Sequence, residues 1–221
     1  MINEDLKNIL KAGGKELGVI IGDKELSSFL LYLKELKEWN KKINLTAITG
    51  DEDIVIRHFF DSLILVPFLS SKETLLDIGS GAGFPGIPLK IVIPDLKVTL
   101  MDSVNKKVVF MRHIIRTIGL KNIEAVRGRA EDKETIRKFA ACFDVVTSRA
   151  FTGLGSFLDM ATPYAKKGGI LLAVKGPKWM EELKGLKGLK GIKTTQIKET
   201  SLPFSDITTT VLIFKTDEVE L

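Results

Sequence analysis

Cysteine is almost missing from this chain, which holds one cysteine in 221 residues. A single thiol cannot close an intramolecular disulfide, and it cannot build a cysteine zinc site. Cys142 stands among alanines and a phenylalanine, so we expect it to be buried and inert. The two histidines, His58 and His113, show no metal-ligand or catalytic spacing, and we predict no metal.

Long apolar runs are also missing. No run approaches the roughly 20 residues that span a bilayer, and the N-terminus lacks the apolar core of a signal peptide. The hydrophobic content of 44% and the charged content of 28% are ordinary for a globular protein. We therefore expect a cytoplasmic monomer with no membrane partner.

Positive charge is concentrated in the second part of the chain. Of the formal net charge of +5, residues 1–70 carry −2 and residues 71–221 carry +7. A basic surface of this kind suggests a polyanionic partner such as RNA. Lysines that only solubilise the surface explain the charge equally well.

Helical periodicity dominates the first 70 residues. The predicted helical stretches cover residues 3–12, 23–39 and 51–69. We expect the first to stop at Gly13 and Gly14, the second to give way to an irregular loop, and the third to be interrupted near His58. Together they predict an N-terminal helical extension over residues 1–70.

Strand and helix patterns alternate regularly from Thr74 onward. Strands are predicted near residues 74–79, 97–102, 122–127, 143–148, 169–175, 193–199 and 207–214. Helices are predicted near residues 85–93, 104–118, 131–140, 153–165 and 177–188. The last two strands lack a crossover helix and should pair antiparallel. Residues 71–221 are thus predicted to form an α/β, Rossmann-like domain with a mostly parallel seven-stranded sheet, the layout of class I methyltransferases.

A glycine-rich turn after the first predicted strand is the strongest sign of a ligand site. Its spacing fits two templates, the dinucleotide fingerprint and the turn of methyltransferases that use S-adenosyl-L-methionine; the second is carried by Asp77, Gly79, Gly81 and Gly83. Pyrophosphate needs free backbone N–H groups at the helix start, and the prolines in this turn remove two of them. The turn therefore favours S-adenosylmethionine, with a dinucleotide as the alternative.

Polar residues at the ends of the second and third strands complete this predicted site, because ligands bind outside the carboxyl ends of parallel strands. Asp102, followed by Ser103, can accept both ribose hydroxyls of adenosine, or it can cap the next helix. Ala130 and Glu131 stand where adenine is usually met, although Glu131 can equally favour the first helical turn.

The fourth strand ends at Ser148 and Arg149, and neither is a plausible general base. A guanine N7 has an in-plane lone pair and no proton to lose, so methyl transfer to it needs positioning rather than a base. Arg149 can then bind guanine or the methionine carboxylate. We assign no catalytic residue.

Several basic residues are candidates for sequence-independent contacts to RNA phosphates. They lie at the start of the second crossover helix and at the end of the fifth strand: Lys106, Lys107, Arg112 and Lys175. A Lys-Gly-Leu repeat over residues 184–191 predicts a frayed, basic surface segment, because glycine at every third position weakens a helix.

These motifs resemble one family, the bacterial 16S ribosomal RNA guanine-N7 methyltransferases, historically called glucose-inhibited division protein B. The matching segments run from residue 39 to residue 176, and they are residues 39–46 (WNKKINLT), 57–62 (RHFFDS), 77–88 (DIGSGAGFPGIP), 101–103 with 106–107, 148–151 and 175–176. The continuation of the glycine turn as Phe-Pro-Gly-Ile-Pro is more specific than its glycines.

The resemblance implies methylation of one guanine in the 530 loop of 16S ribosomal RNA, on the RNA or on the small ribosomal subunit, with S-adenosylmethionine. It implies cofactor contacts by Gly79, Phe84, Ala130, Glu131 and Arg149. It also implies that the segment of Arg57 and His58 faces the cleft, where both residues are candidates for RNA contacts, with Asp61 as an ion-pair partner for Arg57. The alternatives are a methyltransferase of the same fold with another RNA, a small molecule or a protein as substrate, and a non-catalytic RNA-binding module.

Overall fold

The computed structural model describes residues 4–149, 153–186 and 191–217. Its centre is one seven-stranded sheet with the strand order β3-β2-β1-β4-β5-β7-β6. The strands are β1 (Thr74–Ile78), β2 (Lys97–Asp102), β3 (Ile123–Arg127), β4 (Phe143–Ser148), β5 (Ala165–Lys175), β6 (Ile192–Ser201) and β7 (Thr208–Thr216). The first five strands are parallel to their neighbours in the sheet, while β7 lies antiparallel to both β5 and β6. The predicted architecture, including the antiparallel end, is confirmed.

Helices cover both faces of the sheet. They are α1 (Glu4–Glu16), α2 (Asp23–Ile43), α3 (Asp51–Ile54), α4 (Asp61–Leu63), α5 (Gly86–Val92), α6 (Asn105–Ile118), α7 (Lys133–Phe139), α8 (Leu154–Ala161) and α9 (Trp179–Lys184). The N-terminal helices share one hydrophobic core with α5, α6 and one face of the sheet. α7, α8 and α9 pack on the other face.

The N-terminal helices are fastened to the glycine turn. Tyr32 of α2 donates its buried hydroxyl to the carbonyl oxygen of Ala82, and its ring stacks on Phe84 with 5.3 Å between the ring centroids. Burying a tyrosine favours a partner for its hydroxyl, and this partner lies in the glycine turn. The extension therefore contributes directly to the shape of the turn, and the division of the chain at residue 70 remains a prediction.

Two helix ends in the extension differ from the prediction. α1 continues through Gly13 and Gly14. The ring of Phe60 packs against the helix at Gly13 and leaves no room for a side chain, so this glycine permits close packing and does not end the helix. α2 continues beyond the predicted start of the loop to Ile43 and ends at Asn44, which adopts the left-handed conformation with φ 48°.

The third helical stretch is interrupted where the sequence indicated. A π-helical turn over Val55–Phe60 joins α3 to α4 and carries His58 at its centre. A π-helical turn accommodates one extra residue and changes which side chains share a face.

Other differences are smaller. Cys142 is exposed, so the prediction of a buried thiol is wrong; it lies in the turn before β4 rather than in the strand. β5 begins four residues before its predicted start, and α8 is correspondingly shorter. The centre of the Lys-Gly-Leu repeat, residues 187–190, lies outside the described residues. Among the described helices, none is long and apolar enough to cross a membrane.

Gly13→Ala tests the packing of α1 against the π-helical turn. A Cβ atom there would lie 2.3 Å from Cζ of Phe60, so we expect a loss of about 1–3 kcal/mol in the free energy of unfolding despite the better helix propensity of alanine. The matched control is Gly155→Ala in α8, where the nearest atom is 3.5 Å away, and where we expect a gain of about 0.5–1 kcal/mol. Urea unfolding of both variants measures the difference; equal gains would contradict the packing.

Candidate functional site

The centre of the sheet offers a crevice at the carboxyl ends of the strands. β1 pairs with β2 on one side and with β4 on the other, so the strand order runs outward from β1 to β3 and then reverses to β4. A crevice opens at such a reversal of strand order. The glycine turn after β1 borders it, and Gly79, Gly81 and Gly83 take φ values of 69°, 61° and 98°. These values explain the glycines, since they are in the left-handed region.

Asp77 lies beneath this turn and is fully buried. Its Oδ2 accepts a hydrogen bond of 2.9 Å from the backbone N–H of Gly86, which joins the end of β1 to the start of α5. Its Oδ1 is the one buried side-chain polar atom without a hydrogen-bond partner in the described part of the chain. Burial raises the pKa of Asp77 to about 7. An unsatisfied carboxylate oxygen here can receive a cationic group of a ligand.

Asp102 supports the turn from β2. Its Oδ2 accepts a hydrogen bond of 2.9 Å from the N–H of Gly81, and its Oδ1 accepts one of 2.8 Å from the N–H of Val104. The second bond forms a local turn two residues on, before α6 begins. The N-cap position of α6 is Val104, and it makes no side-chain capping bond. Lys107 lies 4.0 Å from Oδ2 of Asp102, so it faces this acid.

A cavity of about 320 Å³ opens beside Asp102. Five of the predicted cofactor residues line it: Gly79, Asp102, Ser103, Ala130 and Glu131. Ala130 is buried and its carbonyl oxygen accepts a hydrogen bond of 2.7 Å from the hydroxyl of Tyr164, while Glu131 is exposed. Met101 and Met160 supply apolar walls. The cavity thus combines a carboxylate, backbone groups and apolar surface, as a nucleoside requires.

Arg149 is the centre of a second cluster, at the end of β4. Its guanidinium lies over the ring of Phe84, 5.1 Å from the ring centroid. One terminal nitrogen donates to the carbonyl oxygen of Arg57 at 3.2 Å and to Oδ2 of Asp61 at 3.3 Å; the other is 2.9 Å from Nδ1 of His58. The predicted ion pair of Arg57 with Asp61 is therefore wrong, because Asp61 is buried against Arg149 while Arg57 is exposed. The next residues of the motif, 150 and 151, lie outside the described residues.

His58 is buried within this cluster. Its ring stacks on Phe84 with 4.6 Å between the centroids. Burial, and then the neighbouring charge of Arg149, lower the pKa of His58 to about 3. The ring is neutral, and its two nitrogens face Arg149 and Oγ1 of Thr46. Both ring nitrogens of the buried His58 thus have partners within the protein.

The remaining basic candidates differ in exposure. Arg57, Lys106 and Arg112 are exposed, although Nε of Arg112 donates to the carbonyl oxygen of Ala125 at 2.9 Å. Lys175 is buried, and its ammonium donates to Oε2 of Glu182 at 2.7 Å. The same Oε2 accepts the N–H of Leu154, so Lys175 helps to dock α9 against α8 rather than offering its charge to solvent.

Comparison with known proteins identifies the family. The model of the family described as rRNA small subunit methyltransferase G matches residues 25–211. The chain belongs to this family. One relative named Ribosomal RNA small subunit methyltransferase G, from Alkaliphilus metalliredigens, is 40% identical over 214 residues, covering 95% of this chain and 90% of the relative. Another of the same name, from Geobacter sp. (strain M21), is 46% identical over 182 residues, covering 82% and 83%.

Solved structures with the same fold are more distant in sequence from this member of the methyltransferase G family. A methyltransferase dependent on S-adenosylmethionine from Aquifex aeolicus superposes with a TM-score of 0.55 at 19% identity, covering 73% of this chain and 92% of that one. TYW2 from P. horikoshii gives a TM-score of 0.54 at 13% identity, covering 73% and 63%. These similarities confirm the predicted class I methyltransferase fold.

The sequence analysis of this family member did not identify two residues that support the site. Tyr32 was indistinguishable from the apolar stripe of α2, although a tyrosine there needs a partner for its hydroxyl. Thr209 of β7 donates to Oδ1 of Asp61 at 2.7 Å, and no local pattern links two residues so far apart in the chain. Within the described ranges, no group of three or more His, Cys, Asp or Glu side chains is arranged to hold a metal.

Asp77→Asn tests the unsatisfied carboxylate. Because the pKa of Asp77 is raised to about 7 in the folded chain, the folded state binds more protons than the unfolded state between about pH 4 and pH 7. The contribution of Asp77 to stability is complete below this range and is lost as the pH rises through it. Relative to Asp77→Asn, the free energy of unfolding of the wild type should fall by about 2 kcal/mol between pH 5 and pH 8.

Urea titrations at both pH values measure this change, with Asp144→Asn as the matched control. Burial opposes ionisation of Asp144, but hydrogen bonds from Lys166 and Thr74 lower its pKa to about 2. Its contribution is therefore complete at pH 5 and stays constant to pH 8. Parallel pH profiles for the wild type and Asp77→Asn would refute the raised pKa.

Proposed function

We propose that this chain methylates N7 of a guanine in the 530 loop of 16S ribosomal RNA, using S-adenosyl-L-methionine. Membership of the methyltransferase G family supports ribosomal RNA as the substrate. The choice of N7 rests on one observation. The acidic and basic side chains around Arg149 are bound to one another, so none of them is available as a general base.

The cavity fits the proposed cofactor. Asp102 would accept the ribose hydroxyls, and the surroundings of Ala130 and Glu131 would hold the adenine. The unsatisfied oxygen of Asp77 would receive the ammonium group of the methionine end. This contact favours S-adenosylmethionine over a dinucleotide, because a dinucleotide would bring phosphates, and not a cation, to this turn. When bound, S-adenosylmethionine supplies a methyl group on a positively charged sulfur.

The acidic and basic side chains near the end of β4 are not free to remove a proton. Asp61 is buried, and its carboxylate is held in an ion pair by Arg149 and in a hydrogen bond by Thr209. His58 faces hydrogen-bond partners with both ring nitrogens. In this proposal the ammonium group of the cofactor takes up the unsatisfied oxygen of the buried Asp77, so Asp77 does not serve as a base either. An acceptor that loses no proton, such as guanine N7, suits this arrangement, since only positioning and exclusion of water are required.

The fixed cation of Arg149 has a role in this proposal. Its side chain keeps 21% of its surface exposed although Asp61 and His58 both hold it. A cation fixed by its neighbours can bind the carboxylate of the methionine end or an RNA phosphate without losing side-chain freedom at that moment. We assign it to the cofactor first and to RNA second.

Methyl transfer to isolated 16S RNA and to small ribosomal subunits tests the function. With labelled S-adenosylmethionine, we expect label in 16S RNA, and borohydride followed by aniline should cleave the chain at one guanine of the 530 loop. RNA in which that guanine is replaced by adenine is the control and should stay unlabelled. Label that resists this cleavage, or label in another RNA, a protein or a small molecule, would favour the alternative substrates and refute N7 of this guanine.

Exposed basic residues near the crevice should bind phosphates. In Arg57→Gln and in Lys106→Gln, we expect weaker RNA binding, with the slope of log K against log salt reduced by about 1 in each, and unchanged affinity for S-adenosylmethionine. Lys97→Gln is the matched control, because Lys97 is exposed at the opposite, amino end of β2. An equal slope in all three variants and the wild type would remove these residues from the interface.

A further inference from the structure

Three contacts to one guanidinium come from one short segment of chain. The carbonyl oxygen of Arg57, the ring nitrogen of His58 and the carboxylate of Asp61 all face Arg149. The first two belong to the π-helical turn, and the third follows it directly. π-Helical turns inside helices occur frequently at functional sites, because they redirect backbone and side-chain groups.

We propose that His58 is a positioning residue, which holds the guanidinium of Arg149 against the ring of Phe84 through an unprotonated Nδ1. The proposal deepens the proposed function and rests on it for the role of Arg149 toward the cofactor or RNA. His58 itself touches neither.

The geometry fixes the tautomer of His58. A guanidinium only donates hydrogen bonds, so Nδ1 of His58, 2.9 Å from it, is an acceptor and carries no proton. The proton of the neutral ring is then on Nε2, which donates to Oγ1 of Thr46 at 2.8 Å. A protonated ring would place a second positive charge against Arg149 and would have no acceptor to offer.

Thr46 is itself held in place for this role. Oδ1 of Asn40 accepts the N–H groups of Leu45 and Thr46, and its amide donates to the carbonyl oxygen of Thr46 at 2.8 Å. The N–H of Ile48 donates to Oγ1 of Thr46 at 3.1 Å. That hydroxyl oxygen accepts from the backbone and from the ring, so Thr46 links α2 to the orientation of His58.

His58 and Asp61 hold Arg149 in different ways. Asp61 supplies the opposite charge and is fixed in turn by Thr209. His58 supplies an acceptor with no charge, so the guanidinium is oriented without further neutralisation. The charged groups that face His58 are Arg149 and, from its own turn, Arg57. A neutral acceptor leaves Arg149 with positive charge for an anionic partner.

Three substitutions at His58 separate the functions of its ring. His58→Asn places an acceptor near the position of Nδ1 but does not reach Thr46. His58→Gln reaches toward Thr46 and loses the acceptor at Nδ1. His58→Phe keeps the stacking on Phe84 and loses both hydrogen bonds. Circular dichroism and urea unfolding select the variants that remain folded.

Methyl-transfer kinetics provide the first readout. We expect kcat/KM to fall about 10- to 100-fold in His58→Phe and His58→Gln, and to return to within about fivefold of the wild type in His58→Asn. The loss should appear in the same parameter, kcat or KM, that Arg149→Lys changes, and His58→Phe should add little to Arg149→Lys. Additive losses, or equal activity in the three His58 variants, would overturn the positioning role.

Nitrogen NMR of histidine-labelled protein gives a readout that needs no methyl transfer. The sequence has two histidines, so His113→Gln assigns both rings. We expect His58 to remain neutral with the proton on Nε2 from pH 5.5 to pH 8, and this signature to change in Arg149→Ala. A ring that carries its proton on Nδ1, or that titrates in this range, would overturn the proposal. An intact signature in a protein that fails to methylate RNA would instead refute only the proposed function.

Discussion

The rest of this structure depends on the packing of three side chains against the ring of Phe84. Tyr32 stacks on it from the N-terminal extension, His58 stacks on it from the π-helical turn, and Arg149 lies over it from the end of β4. Phe84 belongs to the glycine turn, so one ring joins the extension, the sheet and this turn. Aromatic and cation–π contacts of this kind have defined geometry, and they fix orientation as well as bury area.

Buried polar groups around this ring are arranged in two different ways. The cluster of Arg149, Asp61 and His58 is closed, with an acceptor or a charge for each group. Asp77 differs, because one oxygen of its buried carboxylate has no hydrogen-bond partner. Buried polar groups are normally satisfied, so this exception in the glycine turn supports the proposed binding of a cationic group of the cofactor there. Ionisation of this buried carboxylate lowers the stability of the folded chain above the pKa of Asp77.

Most of the fold could be predicted because its signals are local. Alternating apolar runs and glycine turns determined the strands, and the missing crossover determined the antiparallel end. The errors arose where packing overrode local preference. Gly13 is inside a helix because Phe60 occupies the space of a side chain, and glycine there is a packing choice and not a helix stop. Cys142 has apolar neighbours in sequence, yet it lies in an exposed turn.

The sequence by itself determined which residues line the proposed cofactor cavity, since the glycine turn and the strand-end residues Asp102, Ala130 and Glu131 lie within short, patterned segments. Only the tertiary structure decided how Arg149 is held. Its partners come from a π-helical turn about 90 residues earlier in the chain, and Asp61 depends on Thr209 from β7. Contacts between distant segments leave no periodic trace, because each partner alone satisfies only the rules of its own helix or strand. The neutral state of His58 follows from burial and from the neighbouring guanidinium, and neither exists before the chain has folded.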